Sequence, residues 1–155
     1  MSYRNQGPNH KKTITICCSA SFYKSALEIE KNLKKMGFHV KVPKTARTMK
    51  RTGNFKVEDY KTWFANEKHY RLKKNLMDDH FKKVIESDAI LVVNNEKKGV
   101  KGYIGGNVLM EMVIAYHYKK PIFVWNPIEK GFQFEEEIIG MGSKIINRDL
   151  LKVKI

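Results

Sequence analysis

The apolar positions fall into two alternating rhythms along most of the chain. From Lys12 the chain reads TITICCSAS, a β-rich apolar run closing in small residues. SALEIEKNLKKMG follows, with Ala26, Leu27, Ile29, Leu33 and Met36 near helical spacing and Gly37 as a terminating cap. FHVKV then alternates Phe38, Val40 and Val42 as a second strand, which Pro43 ends. Between Tyr60 and Glu86 no Gly or Pro interrupts, and Leu72, Leu76, His80, Phe81, Val84 and Ile85 recur at spacings of three and four, predicting one long helix. AILVVN, residues 89–94, is the continuous apolar run of a strand covered on both faces. GGNVLMEMVIAYHYKK predicts a helix with Asn107 at its N-cap, PIFVWN a strand, FEEEIIGMG a short helix and KIIN a last short strand.

Strands alternating with helices predict an α/β fold, a doubly wound parallel five-stranded sheet in a three-layer α/β/α arrangement. Ligands of such sheets bind beyond the carboxyl ends of the strands. That rule nominates the loops after Cys18, Val42, Asn94 and Asn126. Residues 44–58 lack apolar periodicity and are rich in Lys and Arg, so they read as an exposed basic loop, a lid that orders over an anionic ligand.

Length and composition narrow the class. A chain of 155 residues supports one domain with a real core, here 12–155 after a disordered basic tail over 1–11. The 42% hydrophobic share is that of a globular protein. A net charge of +14 favours phosphate-bearing partners, mononucleotide or nucleic acid, without choosing between them. Adjacent Cys17 and Cys18 have neither disulfide nor metal-ligand spacing, so no metal or cofactor is expected and a reducing compartment fits. With a polar N-terminus and no apolar run near the ~20 residues that span a bilayer, the expected location is the cytoplasm, away from membranes.

The sharpest local feature is KGYIGGNVLMEM. Gly105 and Gly106 let backbone approach a ligand, and Glu111 stands four residues after Asn107, on the same helical face. A carboxylate flanked by Met110, Met112 and Val113 is an uncommon choice for an apolar helix, and burial would raise its pKa. In the first loop, Ser19, Ser21 and Lys24 surround a helix N-terminus suited to an anion. Tyr23, Trp63, Phe64, Tyr103 and Trp125 are aromatics near strand ends that could stack on a base, and Tyr103, just before the Gly-Gly turn, is the foremost of them. Asp88 opens the central strand at its amino end, remote from the site.

ICCSASFYKSALEIEKNLKKMG, ESDAILVVN, GYIGGNVLMEMVIAY and KKPIFVWNPI together resemble the nucleoside 2-deoxyribosyltransferase superfamily, in matching order over residues 12 to 130. The resemblance implies a flavodoxin-like, Rossmann-type sheet and cleavage of the N-glycosidic bond of a nucleoside or nucleoside 5′-monophosphate, by hydrolysis or base transfer. Glu111 matches the family's nucleophile. A second acidic residue before the central strand is also implied, and MDDHFKKVIESD offers Asp79 first, then Asp78 and His80. The resemblance implies that the first loop contacts the sugar or 5′-phosphate, and the full set of candidate substrate-binding residues is Ser19, Ser21, Tyr23, Lys24, Tyr103, Gly105, Gly106, Asn107 and Asn126. The Gly- and Arg-rich first loop of the glycosidase relatives is absent here. Assembly as a homodimer or higher homo-oligomer is expected, both from the family and from the apolar VLMEMVIAYHY helix. Lysine-decarboxylase-like phosphoribohydrolases share a Gly-rich turn before a helix glutamate, but their longer threonine-containing run is not reproduced by GGNVLME. The reading from another class is a non-catalytic nucleotide sensor or nucleic-acid-binding module, whose affinity would fall steeply with salt.

Overall fold

The computed structural model describes residues 10–155, so most of the expected N-terminal tail lies outside the described residues. Five strands, β1 (Thr13–Cys17), β2 (His39–Lys41), β3 (Ala89–Val92), β4 (Ile122–Val124) and β5 (Lys144–Ile145), form one all-parallel sheet in the order β2-β1-β3-β4-β5. The order reverses between β1 and β3, which opens a crevice at their carboxyl ends. Five helices connect the strands: α1 (Tyr23–Lys35), α2 (Lys44–Thr52), α3 (Tyr70–Glu86), α4 (Gly106–His117) and α5 (Glu135–Gly140). The expected doubly wound three-layer α/β architecture is the one observed.

Strand alternation sorts the core into two layers. Ile14, Ile16, Ala89 and Leu91 pack with Ala26, Leu27, Ile29 and Leu33 of α1 on one face. On the other, Cys17, Ile90 and Val92 meet Val84 of α3, Val108, Met112 and Ala115 of α4, and Ile138 of α5. All four residues of β3 are fully buried, which is why its sequence is a continuous apolar run. Thr15, buried on β1, is satisfied by the Ser87 hydroxyl at 2.5 Å, and Ser87 donates on to the Lys83 carbonyl at 2.7 Å.

Four expectations about elements are corrected. Residues 44–52 form a helix rather than an open basic loop: Ala46 and Met49, three apart, bury one face, and Gly53 closes the helix in a left-handed conformation at φ 71°. Arg47 holds it against α1 through both oxygens of Glu30, and Lys34 reaches the same carboxylate at 2.8 Å. Burial alone would raise the Glu30 pKa, but the hydrogen bonds and charges of Arg47 and Lys34 hold it below the usual carboxylate range. The long helix begins at Tyr70, not Tyr60, because Asn66 turns its side chain onto the Lys68 amide at 3.1 Å and the chain from Val57 runs through short 3-10 turns. On this helix only His80 and Val84 of the predicted stripe are buried, while Leu72 and Ile85 face outward. The N-cap of α4 is Gly105, so Asn107 lies inside the first turn.

A candidate active site at the carboxyl end of the sheet

The turns after β1 and β3, the start of α2, the facing sides of α3 and α4, and the turns around Tyr60 to Trp63 enclose a pocket of about 220 Å³. Its position is the one the sheet topology nominates. Of the predicted residues, Ser19, Tyr23, His80, Tyr103, Gly105, Gly106, Asn107 and Glu111 all line it.

Glu111 sits at the floor, 3% exposed, because α4 lays it on the same face as Val108, Met112 and Ala115. Asn107, one turn earlier, donates from Nδ2 to Glu111 Oε1 at 2.9 Å, and Lys73 Nζ donates to Asn107 Oδ1 at 2.9 Å. An ammonium on α3 thus polarises an amide that holds a carboxyl group on α4. Glu111 Oε2 has no hydrogen-bond partner among the described residues. Burial raises the Glu111 pKa from its ordinary 4.5 to about 8, against the smaller opposing influences of the Cys17 thiol and the Lys73 charge.

His80 comes from α3 and places Nε2 3.9 Å from Glu111 Oε2. Burial first, and then the Lys83 charge, lower its pKa to about 4, so at neutral pH the ring is uncharged and the contact is not an ion pair. Neither ring nitrogen makes a hydrogen bond of full geometry among the described residues, and the Ile16 backbone nearby only partly offsets the lowering. Behind these two groups lies Cys17, whose thiol is pushed well above its ordinary range by burial and then by Glu111. Donor atoms of Cys17, His80 and Glu111 all lie within 4.8 Å of one another, a convergence of possible metal ligands on three different elements. The sequence concealed it, since Cys17 sits in an apolar run. The available signal was strand alternation, which sends Cys17 to the α3 and α4 side and Cys18 to the α1 side.

The walls are cationic and aromatic. Lys44, Lys61, Lys73 and Lys97 line the pocket, and none has an ion pair with a described carboxylate. Burial, followed by the Lys73 charge, lowers the Lys61 pKa, and burial with Lys61 and Lys98 does the same for Lys97. Lys97 donates to Ser19 Oγ at 2.9 Å and lies 5.1 Å from the Tyr103 ring centre, while Lys73 is 5.8 Å from that of Trp63. Of these lysines the sequence reading pointed only to Lys44, through the basic segment 44–58, and singled out none of Lys61, Lys73 and Lys97.

Other expected residues stand elsewhere. Asp79 is outside the pocket lining and pairs with Lys83 at 2.8 Å, because α3 turns it one position away from the face that carries His80. Asp78 is exposed and pairs with Lys74. Ser21 is exposed in the turn before α1, and Lys24 extends 5.8 Å over the Phe55 ring. Asn126 is structural: its amide donates to Asn94 Oδ1 at 2.7 Å and its carbonyl accepts from Asn94 Nδ2 at 2.9 Å, locking the ends of β3 and β4. Asp88 accepts the Thr13 amide at 2.8 Å at the amino end of the sheet, as expected. Of the aromatics, Trp63 joins Tyr23 and Tyr103 in the pocket, while Trp125 packs on the α1 side and Phe64 is exposed.

A test follows from this placement. Asp79→Asn should leave turnover within about threefold of the parent, since a half-exposed ion pair contributes roughly 1 kcal/mol or less. Asn107→Ala should cut it about 10- to 100-fold and move the acid limb of the pH–rate profile upward, because Glu111 loses a donor that favours its charged form. An unmoved acid limb would show that Asn107 does not position the carboxylate.

No protein-family model matches this chain, and no curated protein matches it.

Proposed function

We propose that this protein cleaves the N-glycosidic bond of a nucleoside 5′-monophosphate or the corresponding nucleoside, with Glu111 as nucleophile. The observation that carries the reading is a single buried carboxyl group, one oxygen free, on the floor of a pocket walled by four unpaired lysines. The resemblance to the nucleoside 2-deoxyribosyltransferases supports the same assignment. Glu111 Oε2 attacks the anomeric carbon as the carbon–nitrogen bond to the base breaks, giving a glycosyl ester. Among the described residues Glu111 is the only Asp or Glu lining the pocket, so the departing base is served by another group. The Lys73 ammonium, whose pKa burial lowers, supplies that proton and recovers one from the water, or from the incoming base, that resolves the ester.

Phosphate recognition falls to the rim. Lys44 stands at the start of α2, where first-turn amides and the helix dipole favour an anion, and Lys61 and Lys97 add unpaired charge. These groups take the place of the Arg-rich loop that the chain lacks. Tyr103 and Trp63 offer faces to the base or sugar.

Incubation with a panel of ribo- and deoxyribonucleosides and their monophosphates, followed by chromatography for free base, tests the reading. The expected result is base release with kcat/KM at least about 10-fold higher for monophosphates, the scale of one charge-assisted contact. Lys97→Met should erase most of that preference and leave the unphosphorylated nucleosides little changed. Release from no member of the panel, with tight and steeply salt-dependent binding of RNA or DNA, would replace the enzyme with a nucleic-acid module.

The same reading includes a homodimer. Met110, Val113 and Tyr116 on the outer face of α4 are 42%, 49% and 56% exposed, an apolar stripe that a self-complementary contact would cover. Sedimentation at micromolar concentration should give twice the 18.1 kDa chain mass, and Val113→Lys should shift the protein toward monomer. An 18.1 kDa species with full activity would remove the dimer from the account.

A further inference from the structure

We propose that Cys17, His80 and Glu111 form a binding site for a thiophilic divalent cation of the zinc class at the floor of the pocket. The three side chains come from β1, α3 and α4, so their positions are set by the packed core rather than by a loop. Each is at least nine-tenths buried, and their donor atoms lie within 4.8 Å of one another. Glu111 Oε2 and both His80 nitrogens lack a hydrogen bond of full geometry among the described residues, with only the Cys17 thiol near Glu111 and the Ile16 backbone near His80, an uncommon condition for buried polar atoms and one that a cation would relieve.

The donor set selects the ion. One sulfur, one imidazole nitrogen and one carboxylate oxygen suit zinc, whereas magnesium and calcium call for oxygen ligands. Tetrahedral zinc with bonds of about 2.0 to 2.3 Å sets its donors about 3.3 to 3.7 Å apart. His80 Nε2 and Glu111 Oε2 stand at 3.9 Å, so modest side-chain rotation closes the site. On binding, the Cys17 thiol proton leaves to solvent, together with the Glu111 proton where that group is protonated, and thiolate plus carboxylate offset the two positive charges. His80 and Glu111 line the pocket and Cys17 does not, so the fourth position faces the cavity and takes water or a ligand oxygen. Asn107 keeps its bond to Glu111 Oε1, an outer contact of the kind that fixes a ligating carboxylate, and Val84, Val108 and Met112 form a dry surround.

This cation site shares Glu111 Oε2 with the glycosidic reading, so an ion bound there blocks the nucleophile, and the site is tested without nucleotide. Chelator-stripped protein is titrated with Co²⁺, whose visible absorption reports tetrahedral geometry and thiolate ligation, and Zn²⁺ is then added in competition. The expected result is one ion per chain, with Zn²⁺ displacing Co²⁺. Cys17→Ser should remove the thiolate band and weaken affinity on the order of 100-fold, and His80→Gln should weaken it comparably, while Cys18→Ser matches the parent. Melting curves of the metal-free variants establish that each is folded, and the His80 variant reads the same site if the Cys17 variant is not. No tetrahedral Co²⁺ spectrum in the parent, or a spectrum and affinity unchanged in the folded variants, would overturn the proposal.

Discussion

Glu111→Gln should reduce free-base release by about four orders of magnitude, the scale on which removal of an enzyme nucleophile is felt. The substitution is nearly isosteric, and Asn107 Nδ2 still finds a carbonyl oxygen to donate to, so the site keeps its shape. What disappears is the nucleophilic oxygen. In metal-free buffer the parent's kcat/KM should climb with pH toward about 8, since only the ionised carboxyl group attacks, and fall again at higher pH as Lys73 loses the proton it donates.

Stability should move in the opposite sense. The folded-state pKa of Glu111 lies above its ordinary 4.5, so the folded protein retains this proton where the unfolded chain has released it. The associated stabilisation is complete below pH 4.5 and is lost as pH rises toward and through about 8. Gln carries no such dependence. Relative to the parent, the variant should therefore gain on the order of a few kcal/mol between pH 5 and pH 9, read from denaturant midpoints at the two values. Equal differences at both pH values would mean that Glu111 is ionised throughout, and retained base release would dismiss it as nucleophile.

Gly102→Ala should be the most destructive glycine-to-alanine substitution among the described residues, costing about 3 kcal/mol or more and lowering turnover with it. Gly102 has φ 66°, in the left-handed region, and a Cβ there would stand 2.3 Å from the Pro127 carbonyl oxygen and 3.3 Å from Asn94 Nδ2. Left-handed strain on Ala accounts for about 1 kcal/mol. The remainder comes from moving backbone, because the Pro127 carbonyl follows the Asn94–Asn126 lock and cannot rotate aside as a side chain would. Tyr103 and Gly105 follow immediately, so a displaced loop also deforms the pocket. Gly99→Ala supplies the control, with a similar φ of 77° and open space around its Cβ. Its loss should stay near 1 kcal/mol, and equal losses at both glycines would show that the Pro127 contact is immaterial.

Much of the fold was legible because burial wrote it plainly. A strand covered on both faces has to read AILV, and the alternation of such strands with amphipathic helices leaves few topologies. The α2 helix was illegible for the converse reason: two small contacts, Ala46 and Met49, and one cross-helix ion pair hold a segment whose other residues are polar. The start of α3 was misread because Asn66 interrupts by a side-chain hydrogen bond, which leaves no Gly or Pro as a mark. At the site, Glu111 was conspicuous as a charge among methionines, and Tyr103 and the glycines came with it. Asp79 was placed by resemblance, and the choice between it and His80 turns on a single helical step of about 100° that sequence spacing alone does not orient. The pocket lysines arrive from four separate segments of the chain. Nothing local distinguishes them from the many that only face water.

Asn107 carries one more consequence. A residue of its type at the start of a helix ordinarily turns its side chain back to cover the first amides, but this one is committed to Glu111 and Lys73, and α4 has Gly105 as its N-cap and so no side-chain cap. The amides of Gly106, Asn107 and Val108 precede any intrahelical acceptor, and all three residues border the pocket. An oxygen-rich ligand seated there would finish the helix that carries the reactive carboxyl group. The first turn of α4 is in this sense left to be capped by a bound group rather than by its own side chains.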